Sequence, residues 1–398
     1  MAPQSRTLAF INLAHLLDHL LMLVFPTAVL GMGPTFGLDF AELLPLATGG
    51  FIAFGAGSLP AGWLADRWNR RDMLAVFFLG SGLAAILTGL VQSPWQLAGA
   101  LTLLGLFAAI YHPVGTALLV DTAPRLGRAI GLNGVWGNVG VAGAALLTGT
   151  MVELAGWRAA FILPGLAAIA AGLAFLLLVP RQPAAGRPVL GPTAAAAAAP
   201  SRAAVKRAFA ILALTTLAGG VAFSATTVSM PKLFQERLSD LVASPATLGL
   251  IVAAVFLFGA VSQLIVGRWI DRLSLRAVFL PLALVQAPCL LAVAFAQGWL
   301  LLLPAAGLMF GLFGQVTVND ALVARYASAG WRGRIYALRY LLSFTASASA
   351  LPLVAWLHGG AGGFAATFQV LALFGLAVLA AALFLPGGGR AAAPQPAV

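Results

Sequence analysis

The chain has 398 residues, of which 61% are hydrophobic and only 8% charged, with a mean hydropathy of +0.99 and a formal net charge of +11. A water-soluble domain carries roughly a quarter of its residues as charges, so a soluble enzyme is excluded. The basic excess would suit nucleic acid, but its placement along the chain argues for a membrane topology instead.

A membrane-crossing helix needs about 20 apolar residues. The sequence offers twelve such runs almost end to end, at 7–31, 42–65, 73–92, 95–121, 128–154, 157–180, 206–231, 243–270, 275–297, 299–325, 332–358 and 363–386. With Met1 in the cytoplasm, 18 of the 22 Lys and Arg fall on the cytoplasmic side, Arg158, Lys232 and Arg237 fall outside, and Arg339 lies within a span. This asymmetry predicts a multi-pass inner-membrane protein with both termini in the cytoplasm. Its basic side faces anionic lipid headgroups. The expected organisation is an N-terminal six-helix half (1–180), a cytosolic Ala/Pro-rich linker (181–205), a C-terminal six-helix half (206–386) and a disordered tail (387–398). Cys289, the one cysteine, can form no internal disulfide.

Ionisable groups inside a span cost several kcal/mol unless paired or hydrated, so each is a candidate site. In span 1, Asn12, His15, Asp18 and His19 follow the 3/4 spacing of one helical face. At about 1.5 Å per residue, His15 lies about 12 Å from the cytoplasmic end, and His112 of the antiparallel span 4 about 13 Å. Asp18, His15 and His112 are therefore the candidate carriers of a coupling proton, since imidazole titrates near physiological pH. Simple helix-to-helix hydrogen bonding is the plainer alternative. A His-x-x-x-His pair with an Asp also suits a transition metal, but no Cys or Met cluster accompanies it and no metal is assigned.

Span 2 ends in Gly62-Trp-Leu-Ala-Asp66-Arg67-Trp-Asn-Arg-Arg71, and span 8 in Gly267-Arg-Trp-Ile-Asp271-Arg272-Leu-Ser-Leu-Arg276. Both read G-x-x-x-D-R-x-x-x-R, 205 residues apart, which marks two related halves. Each glycine is expected to end its helix and admit a close neighbour. His19, Tyr111 and Asn12 around the span-1 face, with Trp136 and Asn138 of span 5, are candidate solute contacts. In span 10, Gln315, Asn319 and Asp320 form a polar stretch, and in span 11 Arg339 and Tyr340 share a polar-aromatic face. Asp320 and Arg339 match in depth, so a salt bridge is expected. Arg339 alternatively holds an anionic solute bidentately.

The duplicated loop, the twelve spans and the central linker resemble the major facilitator superfamily of secondary transporters, along the whole chain. That resemblance implies an all-α membrane protein of twelve transmembrane helices in two pseudo-symmetric halves. It further implies a solute cavity lined mainly by spans 1, 4, 7 and 10, and alternating access by rocking of the halves. In that family the loop Asp helps close the cytoplasmic gate. The role falls here to Asp66, with Gly62, Arg67 and Arg71, and to Gly267, Asp271 and Arg272 as the degenerate copy.

His15-Leu-Leu-Asp18-His19, Tyr111-His112-Pro113 and Gly137-Asn138-Val139-Gly140 resemble the fosmidomycin-resistance type of efflux protein. Val114 stands where its drug-efflux members carry a carboxylate, and Thr102 stands near the place of the family's span-4 Arg. The expected function is proton-coupled export of a small organic solute by a monomer whose partners are solute, protons and membrane lipids. Alternatives are an uptake permease for a small organic anion, a metal or a metal chelate, and an intramembrane metal-dependent enzyme. The duplicated loop counts against an enzyme. No Walker-type loop supports ATP-driven pumping. A reporter fused within 181–205 is expected to signal from the cytoplasm. A periplasmic signal there would sink the twelve-span topology.

Overall fold

A computed structural model describes residues 3–124, 126–181, 201–327, 332–360 and 362–385. Most of the expected linker and the whole expected tail lie outside the described residues. Among those described, every regular element is helical. Twelve helices are long and apolar enough to cross a membrane: Gln4–Gly31, Phe40–Arg67, Arg70–Leu90, Pro94–Thr122, Arg128–Ala155, Trp157–Leu178, Arg202–Arg237, Pro245–Arg272, Leu275–Phe295, Gly298–Tyr326, Leu341–Gly359 and Gly363–Leu383. These are spans 1 to 12. Hydrocarbon offers no partner to a backbone N–H or C=O, so each crossing segment must satisfy its own as a helix.

The helix starts are written in the sequence. Asn69 accepts from the N–H groups of Arg71 and Asp72 at the head of span 3. Ser93 caps span 4 with Pro94 in its first turn, and Ser274 caps span 9. Four spans differ from the unbroken helices expected: spans 2 and 10 pass through 3-10 turns near their starts, at Leu44–Ala47 and Gly298–Leu301, and spans 1 and 4 are interrupted further in. Span 1 stops at Leu23, restarts at Phe25 with Pro26 in its first turn, and finishes as a tight 3-10 turn over Val29–Gly31. Span 4 breaks between Ala108 and Tyr111. The cause is Pro113, which has no N–H for the Ala109 carbonyl and whose ring crowds that carbonyl.

The chain packs as two compact units. The first holds spans 1 to 6 together with Val228–Leu257 and Leu351–Gly359. Of the described residues, the second holds 201–227, Phe258–Ala350, 360 and 362–385. In the first unit spans 3 and 6 meet backbone to backbone, because a Cβ on Gly82 would lie 2.7 Å from the Gly165 carbonyl, and one on Gly165 2.7 Å from that of Gly82. Lipid is as apolar as leucine, so such close contact, rather than water exclusion, holds the spans together.

The second unit repeats the arrangement with span 9 against span 12, where Gly375 sits 3.1 Å from Ala287 on the same measure. Its core includes Val266, Phe279, Leu282, Val318, Leu322 and Val378. The start of span 8, which belongs to the first unit, is fastened to span 5. Glu153 accepts from the Ser244 hydroxyl and from the Ala246 N–H at 3.0 Å, while Gly149 and Gly249 abut the carbonyls of Pro245 and Ala145.

Gly82→Leu should prise span 3 from span 6 and lower the unfolding temperature in detergent, at a cost of about 1–3 kcal/mol or more for overpacking. Gly99→Ala, with nothing within 4 Å of the added carbon, is the control and should leave it unchanged. Equal melting of the two variants would show that the glycine seam does not hold these spans.

Candidate functional site

The break in span 4 delivers Tyr111 and His112 to the face of span 1 that carries His15, Asp18 and His19. The His15 Nδ1 lies 2.8 Å from the Asn133 carbonyl, so that nitrogen bears the proton and donates, which leaves Nε2 with its lone pair. The His19 Nε2 faces that lone pair at 3.1 Å. The His15 ring stacks on Tyr111, with centroids 4.9 Å apart and planes at 25°, and meets His112 edge-on at 5.7 Å. Room for the imidazole comes from Gly137, where a Cβ would stand 2.6 Å from the ring.

Asp18 is fully buried, and neither of its oxygens accepts a hydrogen bond among the described residues. The His112 Nε2 lies 3.4 Å from its Oδ2. The three imidazoles, by contrast, are only part-buried, and one nitrogen of each lies within 4.8 Å of the others. The arrangement is a carboxylate shut away from water behind three rings that remain reachable.

Asn133 ties this cluster together, and sequence reasoning did not select it. Its side-chain oxygen accepts from the Tyr111 hydroxyl at 3.0 Å, its amide donates to Asn12 Oδ1 at 3.1 Å, and its carbonyl holds His15. The available signal was its place four residues before Gly137, one turn along the same helix face. Tyr111 and Asn12, expected as solute contacts, are buried and engaged by Asn133, so they position the cluster. Trp136 is 37% exposed and Asn138 half-buried.

In the second unit Asp320 and Arg339 form the expected ion pair, with the Arg339 side chain 7% exposed and that of Asp320 44%. Gln315 donates to the Thr215 carbonyl at 2.8 Å, and the Thr215 hydroxyl donates to Asn319 Oδ1 at 3.1 Å. Both amide side chains are buried and each makes a hydrogen bond that joins span 10 to span 7, while the Gln315 Oε1 accepts none among the described residues. The side chain of Tyr340 lies outside those described.

The repeated signature departs from expectation in one respect. Neither Gly62 nor Gly267 ends its helix, because the helices continue to Arg67 and Arg272. A Cβ on Gly62 would lie 3.3 Å from Pro113, a close approach as expected, whereas Gly267 has no atom within 4 Å. In the first copy Arg70 bridges Asp66 at 2.9 Å and Asp121 at 2.5 Å, joining spans 2, 3 and 4. Arg67 lies over the Trp63 ring at 4.0 Å. Arg71 donates to the carbonyls of Val179 and Leu176 at 3.0 and 2.6 Å, satisfying last-turn groups of span 6. Arg70 and Asp121 were overlooked in the sequence because the partner lies 51 residues away. Asp271 and Arg272, in the second copy, are exposed.

Comparison with known proteins agrees with this architecture. The sequence matches the Major Facilitator Superfamily over residues 11–240 and 237–397. It is 23% identical to a Na(+), Li(+), K(+)/H(+) antiporter of Planococcus maritimus, over 91% of both chains. It is also 37% identical to the puromycin resistance protein pur8 of Streptomyces alboniger, over 35% of this chain and only 28% of that one. The fold resembles a bacterial homologue of the human lysosomal transporter Spinster, solved inward-facing and unoccupied, with a TM-score of 0.73, 16% identity, and coverage of 97% of this chain and 95% of that one. A transporter fold with a duplicated signature loop and a sequence match over nearly its whole length, the chain belongs to the Major Facilitator Superfamily.

Proposed function

We propose that the chain exports a small organic solute across the inner membrane by alternating access, driven by protons, with both termini in the cytoplasm. The relatives named for antiport and for antibiotic resistance support this direction and coupling. The span-1 His-Leu-Leu-Asp-His and the Tyr-His-Pro of span 4 favour the fosmidomycin-resistance type within the family. Asp66, with Arg70 and Asp121, serves as the cytoplasmic gate, since this network joins three spans at one end of the first unit.

The observation that carries the coupling is Asp18. A carboxylate in hydrocarbon, with no hydrogen bond to either oxygen, needs a cation at hand. His112 stands beside it, with Nε2 3.4 Å from Oδ2, so the two groups can share a proton. His15 and His19 connect that pair to the reachable side of the cluster.

A second reading, uptake of a small organic anion, draws on the ion pair of the second unit. If Asp320 takes up a proton, Arg339 is released and its guanidinium fits a carboxylate bidentately.

Asp18→Asn should abolish concentrative, pH-driven transport in proteoliposomes while leaving some downhill exchange, because solute binding does not need the charge. Wild-type accumulation by that variant would show the cluster to be structural. Asp320→Asn and Arg339→Gln should each cost folding or transport heavily, since a buried charge left alone costs about 3–5 kcal/mol. The double variant should lose less than the sum. Simply additive losses would give the two residues separate roles.

A further inference from the structure

We infer that His15, His19 and His112, with the buried Asp18 carboxylate beside His112, form a binding site for a divalent transition-metal ion of the zinc or cobalt kind. The inference rests on the reading above only in that metal and coupling proton use the same groups.

Four features of the cluster point to a metal. The first is the ligand set: three imidazoles are donors that zinc and its neighbours prefer, in the number that leaves a tetrahedral ion its fourth position open. The second is spacing. His15 Nε2 and His19 Nε2 stand 3.1 Å apart, and metal–nitrogen bonds of about 2.0–2.1 Å in a tetrahedron separate two nitrogens by about 3.3 Å. All three ring nitrogens lie within 4.8 Å of one another.

The third feature is tautomer control. A metal-ligating His characteristically donates its other N–H to a carbonyl or carboxylate, which fixes the ring and raises its basicity. His15 does so here, Nδ1 to the Asn133 carbonyl at 2.8 Å, and Gly137 and Tyr111 fix the ring from either side. The Nε2 lone pair is thereby aimed at the cluster before any ion arrives.

The fourth is charge. Asp18 lies fully buried without a hydrogen bond on either oxygen, 3.4 Å from the His112 Nε2, so a divalent ion held by the rings brings positive charge close to it. Once seated, the ion ties span 1 to span 4 and takes the groups that the coupling proton needs. Zinc should therefore inhibit pH-driven transport.

The test uses the full chain purified in detergent and stripped with a chelator. Zn2+ alone is titrated by calorimetry and Co2+ alone by visible absorption. One ion per chain is expected, with the intense bands of four-coordinate cobalt and a zinc-induced rise in melting temperature. His19→Ala and the milder His19→Gln should each weaken zinc by at least the roughly 10–100-fold that loss of an outer-shell partner costs. His358→Ala, altering a His that pairs instead with Glu236 at 3.0 Å, should bind as wild type. Absence of a saturable ion, or unchanged zinc affinity in both His19 variants, overturns the site. pH-driven transport by protein that binds no zinc defeats the metal site alone, whereas zinc binding without pH-driven transport defeats the coupling reading alone.

Discussion

A polar group placed in hydrocarbon must find its partner within the protein, and this constraint governs the rest of the structure. It makes every crossing segment a helix. It sends the Arg71 guanidinium to the last carbonyls of span 6, the Gln315 amide to the Thr215 carbonyl and Arg339 to Asp320. Nearly every polar side chain selected from the sequence therefore has a plain structural occupation. Asp18 is the exception that gives the constraint functional meaning. It is as deeply buried as any of them, yet it lacks the hydrogen bonds that would excuse its charge. A group in that position holds energy that an incoming cation can release.

The cluster around Asp18 is shaped as much by missing atoms as by present ones. Pro113 lacks the N–H that would have carried span 4 through Ala109 and Ile110 as regular helix, and the resulting break presents Tyr111 and His112 to span 1. Gly137 lacks the Cβ that would occupy the His15 ring position, and Gly140 lacks the one that would strike the Leu16 backbone. Removing these atoms lets spans 1, 4 and 5 approach within hydrogen-bonding distance, where a single residue, Asn133, engages all three. Local chain chemistry thus becomes packing, and packing becomes a fixed imidazole tautomer.

The fold was legible in the sequence because its determinants are local. Runs of apolar residues define the spans, and Asn69, Ser93 and Ser274 announce where helices start. Period and depth also sufficed to bring His15, Asp18, His19 and His112 together and to pair Asp320 with Arg339. What escaped depends on contacts between distant segments. Asn133 looks like any small amide in a glycine-rich span until the spans are assembled. Arg70 meets Asp121 across 51 residues, and Gly267 shares a motif with Gly62 but not its neighbour Pro113. Conversely, Gln315 and Asn319 looked like solute contacts because polarity in a span signals function by default. The assembled spans add that each also bonds to Thr215, which ties span 10 to span 7.

The two units resolve the same electrostatic problem in different ways. The second pairs Asp320 with a guanidinium that keeps its charge, so this site is compensated within the protein and a proton or solute must compete with Arg339 to enter. The first places Asp18 beside imidazoles, which exist in either charge state, so compensation there varies with what binds. A transport cycle needs both kinds of element. A permanently matched pair keeps a unit rigid, while a conditionally matched carboxylate lets occupancy change the cost of each conformation. In the proposed transport cycle, the first unit is then the one that senses the driving ion.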